Sequence, residues 1–150
     1  MKRLSWKYIA GLVDGEGCID VVVNKREDTY YVQPRVRITM CVVAEELMDI
    51  ICNNYKGNRE YRKTTNPNWS DSITWNASGY NRACTFLRNI KNHVIVKREQ
   101  TKLALWMENN VKGRALTAEA VKVVKDEMKR LKRDPHRLSE QAQEAILAVL

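Results

Sequence analysis

The sequence predicts an α+β domain: a helix, two strands, a second helix and two more strands, then helices only. Three observations carry this. The apolar residues keep helical spacing up to about residue 14, alternate strictly from Cys18, and return to helical spacing after Gly79. The polar stretches "KREDT" and "NPNW" each separate two alternating segments, so the strands come as hairpins. The 150 residues, 44% hydrophobic, suffice for one core and not for two. The helix–strand–strand unit is used twice within a single domain spanning residues 1–150.

Ser5 can cap a first helix over residues 6–14, with Tyr8, Ile9, Leu12 and Val13 on its apolar face and Asp14-Gly15 ending it. Ile19, Val21 and Val23 then alternate with Cys18, Asp20, Val22 and Asn24. The second strand sets Val32, Val36, Ile38 and Met40 on one face against Tyr31, Gln33, Arg35, Arg37 and Thr39 on the other. "AEELMDIICNNYKG" reads as a helix with a glycine stop. "NREYRKTT" and "SDSITWNAS" follow as strands; in the latter Ile73 and Trp75 face inward and Ser72, Thr74 and Asn76 outward. The facing of the Arg59 to Lys63 strand stays open: Tyr61 is either its core residue or lies with Arg59 and Lys63 on the open face. Four helices complete the chain, over 80–92, 97–110, 117–133 and 136–149, the last capped by Asp134 with Pro135 at its first position.

Charge narrows the partner. Lysine and arginine number 26 against 18 acids, a net +8 spread along the chain, which suits a polyanion. A membrane is the weaker choice, because no apolar run approaches the length of a spanning helix. "MKRLSWKYIAGLVDGEG" places acids where a signal peptide has small apolar residues, so the expected location is cytoplasmic, or organellar if the organelle encodes the protein. Cys18, Cys41, Cys52 and Cys84 form no C-x-x-C pair and only two histidines exist, which argues against zinc and against a disulfide framework. Each cysteine reads as a small, reduced, buried apolar side chain. His93 and His136 read as surface or capping residues.

The chemistry concentrates in "YIAGLVDGEGCID". A carboxylate at a helix C-terminus meets the negative end of the dipole, so Asp14 and Glu16 are not placed there for stability. With the last-turn carbonyls they form a set of hard oxygen donors suited to magnesium or calcium. Gly11 costs about 1 kcal/mol relative to alanine inside a helix, and with Ala10 it offers a flat patch for another helix backbone. A helix stopped by Gly15, with solvated acids and a Gly11 that relieves crowding inside the monomer, accounts for the same residues.

"IAGLVDGEG", Ile9 to Gly17, resembles the LAGLIDADG motif of the homing endonucleases of that name. Ala10, Gly11, Leu12, Asp14 and Gly17 match it outright, while Ile9, Val13, Gly15 and Glu16 replace leucine, isoleucine, alanine and aspartate. The element order is also similar to that family's αββαββα saddle, here with extra C-terminal helices. The resemblance implies a helix bearing Ala10, Gly11, Val13 and Asp14 at the interface between two halves. It implies Glu16 as a catalytic metal ligand over the scissile phosphate, and the Gly15 carbonyl as a second ligand. Lys97, at the start of the helix after "NHVIV", is similar to the lysine placed near that metal. A solvated lysine at a helix start is the other account of it. The family's water-ordering glutamine has no counterpart in "TMCVVAE". One motif where single-chain members carry two implies a homodimer and a near-palindromic target.

The implied activity is hydrolysis of double-stranded DNA with Mg²⁺, Ca²⁺ supporting binding without cleavage, by an intron-encoded enzyme. The alternative on the same scaffold is a non-cleaving nucleic-acid binder, either a maturase for intron RNA or a transcriptional regulator. The candidate DNA contacts on the first hairpin are Asp20, Asn24, Gln33, Arg35, Arg37 and Thr39. Those on the second are Arg59, Tyr61, Arg62, Lys63, Ser72 and Thr74. Arginine pairs with guanine and amides with adenine in the major groove. The exposed face of any half-solvated sheet accounts equally for Asp20 and Thr39. A strand of about 7 residues spans roughly 23 Å, or about 7 base pairs, so two subunits and a central gap give a site of about 20 base pairs.

Overall fold

Ser5 opens the first helix as expected: its hydroxyl accepts a hydrogen bond from the Tyr8 amide at 3.1 Å. In the computed structural model, which describes residues 3–150, this helix α1 runs from Trp6 to Glu16. It therefore continues past Asp14-Gly15 and ends at Gly17, whose amide bonds to the Val13 carbonyl. A Cβ on Gly17 would lie 2.6 Å from that carbonyl oxygen and 2.8 Å from the Val13 Cα, so the glycine is required by close backbone approach.

Next come β1 (Gly17–Arg26) and β2 (Thr29–Cys41), longer than their alternation suggested because the charged residues of the turn extend the ladder to Arg26↔Thr29. A 3-10 turn, Val42–Ala44, leads into α2 (Glu45–Asn54), then β3 (Asn58–Arg62) and β4 (Ser72–Ser78). The sheet is antiparallel with order β1-β2-β4-β3. Helices α3 (Tyr80–Ile90), α4 (Arg98–Asn110), α5 (Ala118–Arg133) and α6 (Ser139–Leu147) complete the chain.

The last helix departs from the sequence expectation. Asp134 closes α5, its amide bonding the Arg130 carbonyl, and its carboxylate accepts from the His136 amide at 2.9 Å. That local turn takes residues 135–138 out of helical register. The helix starts at Ser139, where the Gln141 side chain accepts from the Leu138 amide and Glu99 accepts from the Ser139 amide.

One core lies between the sheet and the helices. Ile19, Val32, Val36, Ile38, Ile73 and Trp75 point into it, and Met48, Phe86, Leu87, Leu103, Met107 and Val124 answer from the helices. Trp75, Phe86, Tyr55 and Trp6 form its aromatic centre, with ring centroids 4.9 Å to 6.4 Å apart. Of the four cysteines, all free, only Cys84 is fully buried; Cys18, Cys41 and Cys52 are half-buried, because their positions fall near element ends or on the open face.

Candidate nucleic-acid interface and metal centre

Asp14 is not an acid stranded at the wrong end of a helix. Its carboxylate accepts from the backbone amides of Ile95 at 2.8 Å and Lys97 at 3.0 Å, the turn that leads into α4. It thus sits at the positive end of a second helix, where a negative charge is favoured. Lys97 caps that helix and is 8% exposed; its Nζ donates to the Asp14 carbonyl at 2.8 Å, satisfying an orphan acceptor in the last turn of α1. Burial lowers the Lys97 pKa, an effect opposed by the nearby Asp14 carboxylate. Lys97 is therefore not a solvated lysine. A reciprocal clamp joins α1 to α4.

Two residues after Asp14, the Glu16 side chain is exposed and makes no hydrogen bond or ion pair among the described residues. Gly15 is likewise exposed, with open space around its Cα. A Glu16 carboxylate beside a last-turn carbonyl is an all-oxygen donor set, which fits a hard divalent cation. It is too small a set alone: no group of three or more His, Cys, Asp or Glu residues that could hold a metal occurs among the described residues.

The exposed side of α1 is flat at Gly11. Gly11 has nothing within 4 Å of a built Cβ, so crowding inside the monomer does not explain this glycine. Tyr8 is 50% exposed one turn before it, and Ile95 and Val96 are exposed beside the clamp. Ala10 and Val13 are fully buried in the monomer core, which removes both from the expected interface. The helical period places them on the inward stripe with Ile9.

The strand register fixes the open face of the sheet. Cys18, Asp20, Val22 and Asn24 stand opposite Arg37, Arg35, Gln33 and Tyr31, and directly paired residues share a face. Thr39 and Thr74 meet there, their hydroxyls 2.8 Å apart. Asp20 accepts from Arg35 Nε at 2.9 Å and Nη2 at 2.7 Å and from Arg37 Nη2 at 2.8 Å, and this pairing with Asp20 raises the Arg35 pKa. Asp20 therefore orients the two arginines and is not merely a solvated polar residue. Arg35, Arg37, Thr39, Arg62, Ser72 and Thr74 line one trough of about 430 Å³. Gln33 packs beside Gly79, and Asn24 is exposed near the hairpin tip.

On the second hairpin Arg59 departs from expectation, and Tyr61 is shared between the two sides of the edge strand. Arg59 and Tyr61 pair with Trp75 and Ile73, whose side chains are buried, so the register puts both on the helical side of the sheet. Arg59 is ion-paired to Asp49 and to Glu45 of α2, and the Tyr61 hydroxyl donates to Asp71. Tyr61 is not a core residue: it is 60% exposed on the edge strand β3 and also borders the trough. Lys63 lies beyond the strand, beside Arg62 and Trp69. Asn58 and Glu60 take the open-face positions instead, opposite Asn76 and Thr74. Only the register of β3 decides this, and a five-residue strand without a buried position carries no period to read.

The basic helix α5, whose sequence suits either a solvated face or a flank to the DNA backbone, is placed by its packing. Val121, Val124, Met128 and Leu131 bury its apolar stripe, and Lys125, Lys129 and Lys132 reach a cleft with Asp20, Arg35 and Arg37. The 4-and-3 spacing of those lysines was the available signal.

Known proteins share this fold. No curated protein matches the sequence. The homing endonuclease I-CvuI, solved with a DNA target in magnesium and its DNA not cleaved, shares 20% identity over 96% of this chain and 93% of its own, with a TM-score of 0.60. The homing endonuclease I-TnaI shares 16% over 99% of this chain and 100% of its own, with a TM-score of 0.56. The meganuclease I-SmaMI, bound to uncleaveable DNA, shares 18% over 99% of this chain and 50% of its own, with a TM-score of 0.62. The family model for LAGLIDADG endonucleases matches residues 9–107, from the α1 motif to α4, and on that match the chain belongs to the LAGLIDADG endonuclease family.

Proposed function

We propose that the chain is a site-specific, metal-dependent double-strand DNA endonuclease that acts as a homodimer on a long, near-palindromic site. The observation that carries this reading is the end of α1. A clamp between Asp14 and Lys97 fixes the helix end while leaving Glu16 and Gly15 exposed at it, next to an open stripe at Gly11. Two copies joined at that stripe would bring two Glu16 carboxylates and two Gly15 carbonyls together, donors that with phosphate oxygens of DNA would hold a hard divalent cation.

A bound Mg²⁺ supplies charge neutralisation at the phosphate and an activated water, chemistry that needs no histidine. The chain's own residues bind and orient. Glu16 and Gly15 hold the ion, Asp14 keeps the helix end rigid, and Lys97 adds a cation behind the clamp. The trough residues Arg35, Arg37, Arg62, Ser72 and Thr74, with Asn24, Gln33 and Thr39, meet base edges in the major groove. Ca²⁺ satisfies the same oxygen donors and supports binding. The ordered water has no glutamine to hold it, consistent with the half-buried Met40 and Cys41 at the end of β2.

The test is selection from a randomised duplex pool in calcium, followed by magnesium. A palindromic consensus cut by the wild type, and at least a hundredfold more slowly by Glu16→Gln, is the expected outcome. Selective binding without cutting by the wild type would replace the enzyme with a regulator or maturase.

A further inference from the structure

Helix α5 lies outside the family match at residues 9–107 and packs along β1, an edge strand of the sheet. Its buried apolar stripe fixes its rotation, so Lys125, Lys129 and Lys132 are held facing Arg35, Arg37 and Asp20 across a cleft of about 350 Å³. Both Asp20 oxygens are already taken by the arginines, and none of the three lysines is ion-paired among the described residues. Five cations therefore face one neutralised acid. Arg37 Nε is buried with no acceptor among the described residues, a donor that a phosphate oxygen can satisfy. Lys132 comes closest to the metal end of α1: its Nζ lies 3.7 Å from the Sγ of Cys18, two residues after Glu16, and Arg37 Nη2 lies 3.8 Å from the same sulfur.

We propose that this cleft is a second, sequence-independent DNA site, in which Lys125, Lys129 and Lys132 hold backbone phosphates flanking the cutting centre. Lys132 is the phosphate contact nearest the scissile bond. The inference rests on the endonuclease reading but concerns the lysines of α5, which lie beyond residues 9–107. A duplex backbone suits it because the three lysines form a row along one helix face, which follows a strand of evenly spaced charges. Lys132 also feels the same local field as Lys97, whose ammonium it disfavours.

The experiment measures duplex affinity in calcium as a function of salt for the wild type, Lys125→Gln/Lys129→Gln, Lys132→Gln and, as a control, Lys122→Gln. Lys122 is outside the cleft and paired with Asp126 at 2.9 Å. Each lost phosphate contact removes about 0.9 from the slope of log K against log salt. The double variant is expected to lose about 1.8, Lys132→Gln about 0.9, and Lys122→Gln none, with all melting temperatures unchanged. Lys132→Gln is also expected to cut at least tenfold more slowly at saturating protein, where weaker binding no longer matters. A wild-type slope in the double variant would overturn this site while leaving the endonuclease reading intact. Failure of the wild type to bind any duplex would overturn that reading itself.

Discussion

At the scale of single residues, Asp14 shows how a feature that looks unfavourable locally becomes favourable in tertiary structure. The motif residues were legible because their spacing is local; their partners Ile95 and Lys97, more than eighty positions away, were not. Replacing Asp14 with Asn keeps a hydrogen-bond acceptor but removes the charge at the α4 N-terminus. It is expected to destabilise the protein by about 0.5–1 kcal/mol, read as a lowered midpoint in urea. Gly17→Ala is a harder lesion, since its Cβ meets backbone that cannot rotate away. A loss of about 1–3 kcal/mol is expected, by the same measurement. The contrast with Gly11 is diagnostic: there a Cβ meets nothing, so Gly11→Ala should leave the monomer as stable or raise it by up to about 1 kcal/mol.

At the scale of elements, alternation placed β1, β2 and β4 correctly because each has one face that must be buried. It failed on β3, where every residue is exposed and the face is set by pairing alone. The end of that hairpin depends on Asp71, whose pKa is lowered by the Tyr61 hydroxyl and then by the Thr64 amide. The folded value lies below the ordinary 3.8, so the ordering this carboxylate gives is fully present above 3.8 and is lost as pH falls through the lowered value. The protection of the Thr64 amide against exchange, relative to its intrinsic rate at each pH, should fall over that window and hold between pH 5 and 7. Tyr61→Phe should move the onset upward. The boundaries of the C-terminal helices show the same limit. The α5 periodicity was plain, whereas the start of α6 was decided by the Asp134 turn and by Glu99 on another helix.

At the scale of the whole molecule, the sequence showed one motif, one core and a basic surface, and these suffice for the fold. Among the described residues no group of three or more His, Cys, Asp or Glu could hold a metal. The proposed homodimer places a second copy across the open stripe of α1, with Glu16 contributed twice. Gly11→Leu, at a position where an added Cβ meets nothing within 4 Å, is expected to abolish the dimer and cutting together while preserving the circular dichroism of the wild type. The most direct test is the native mass of the wild-type protein on its selected duplex in calcium. Two chains per duplex are predicted, and a complex of one chain per duplex would contradict the account.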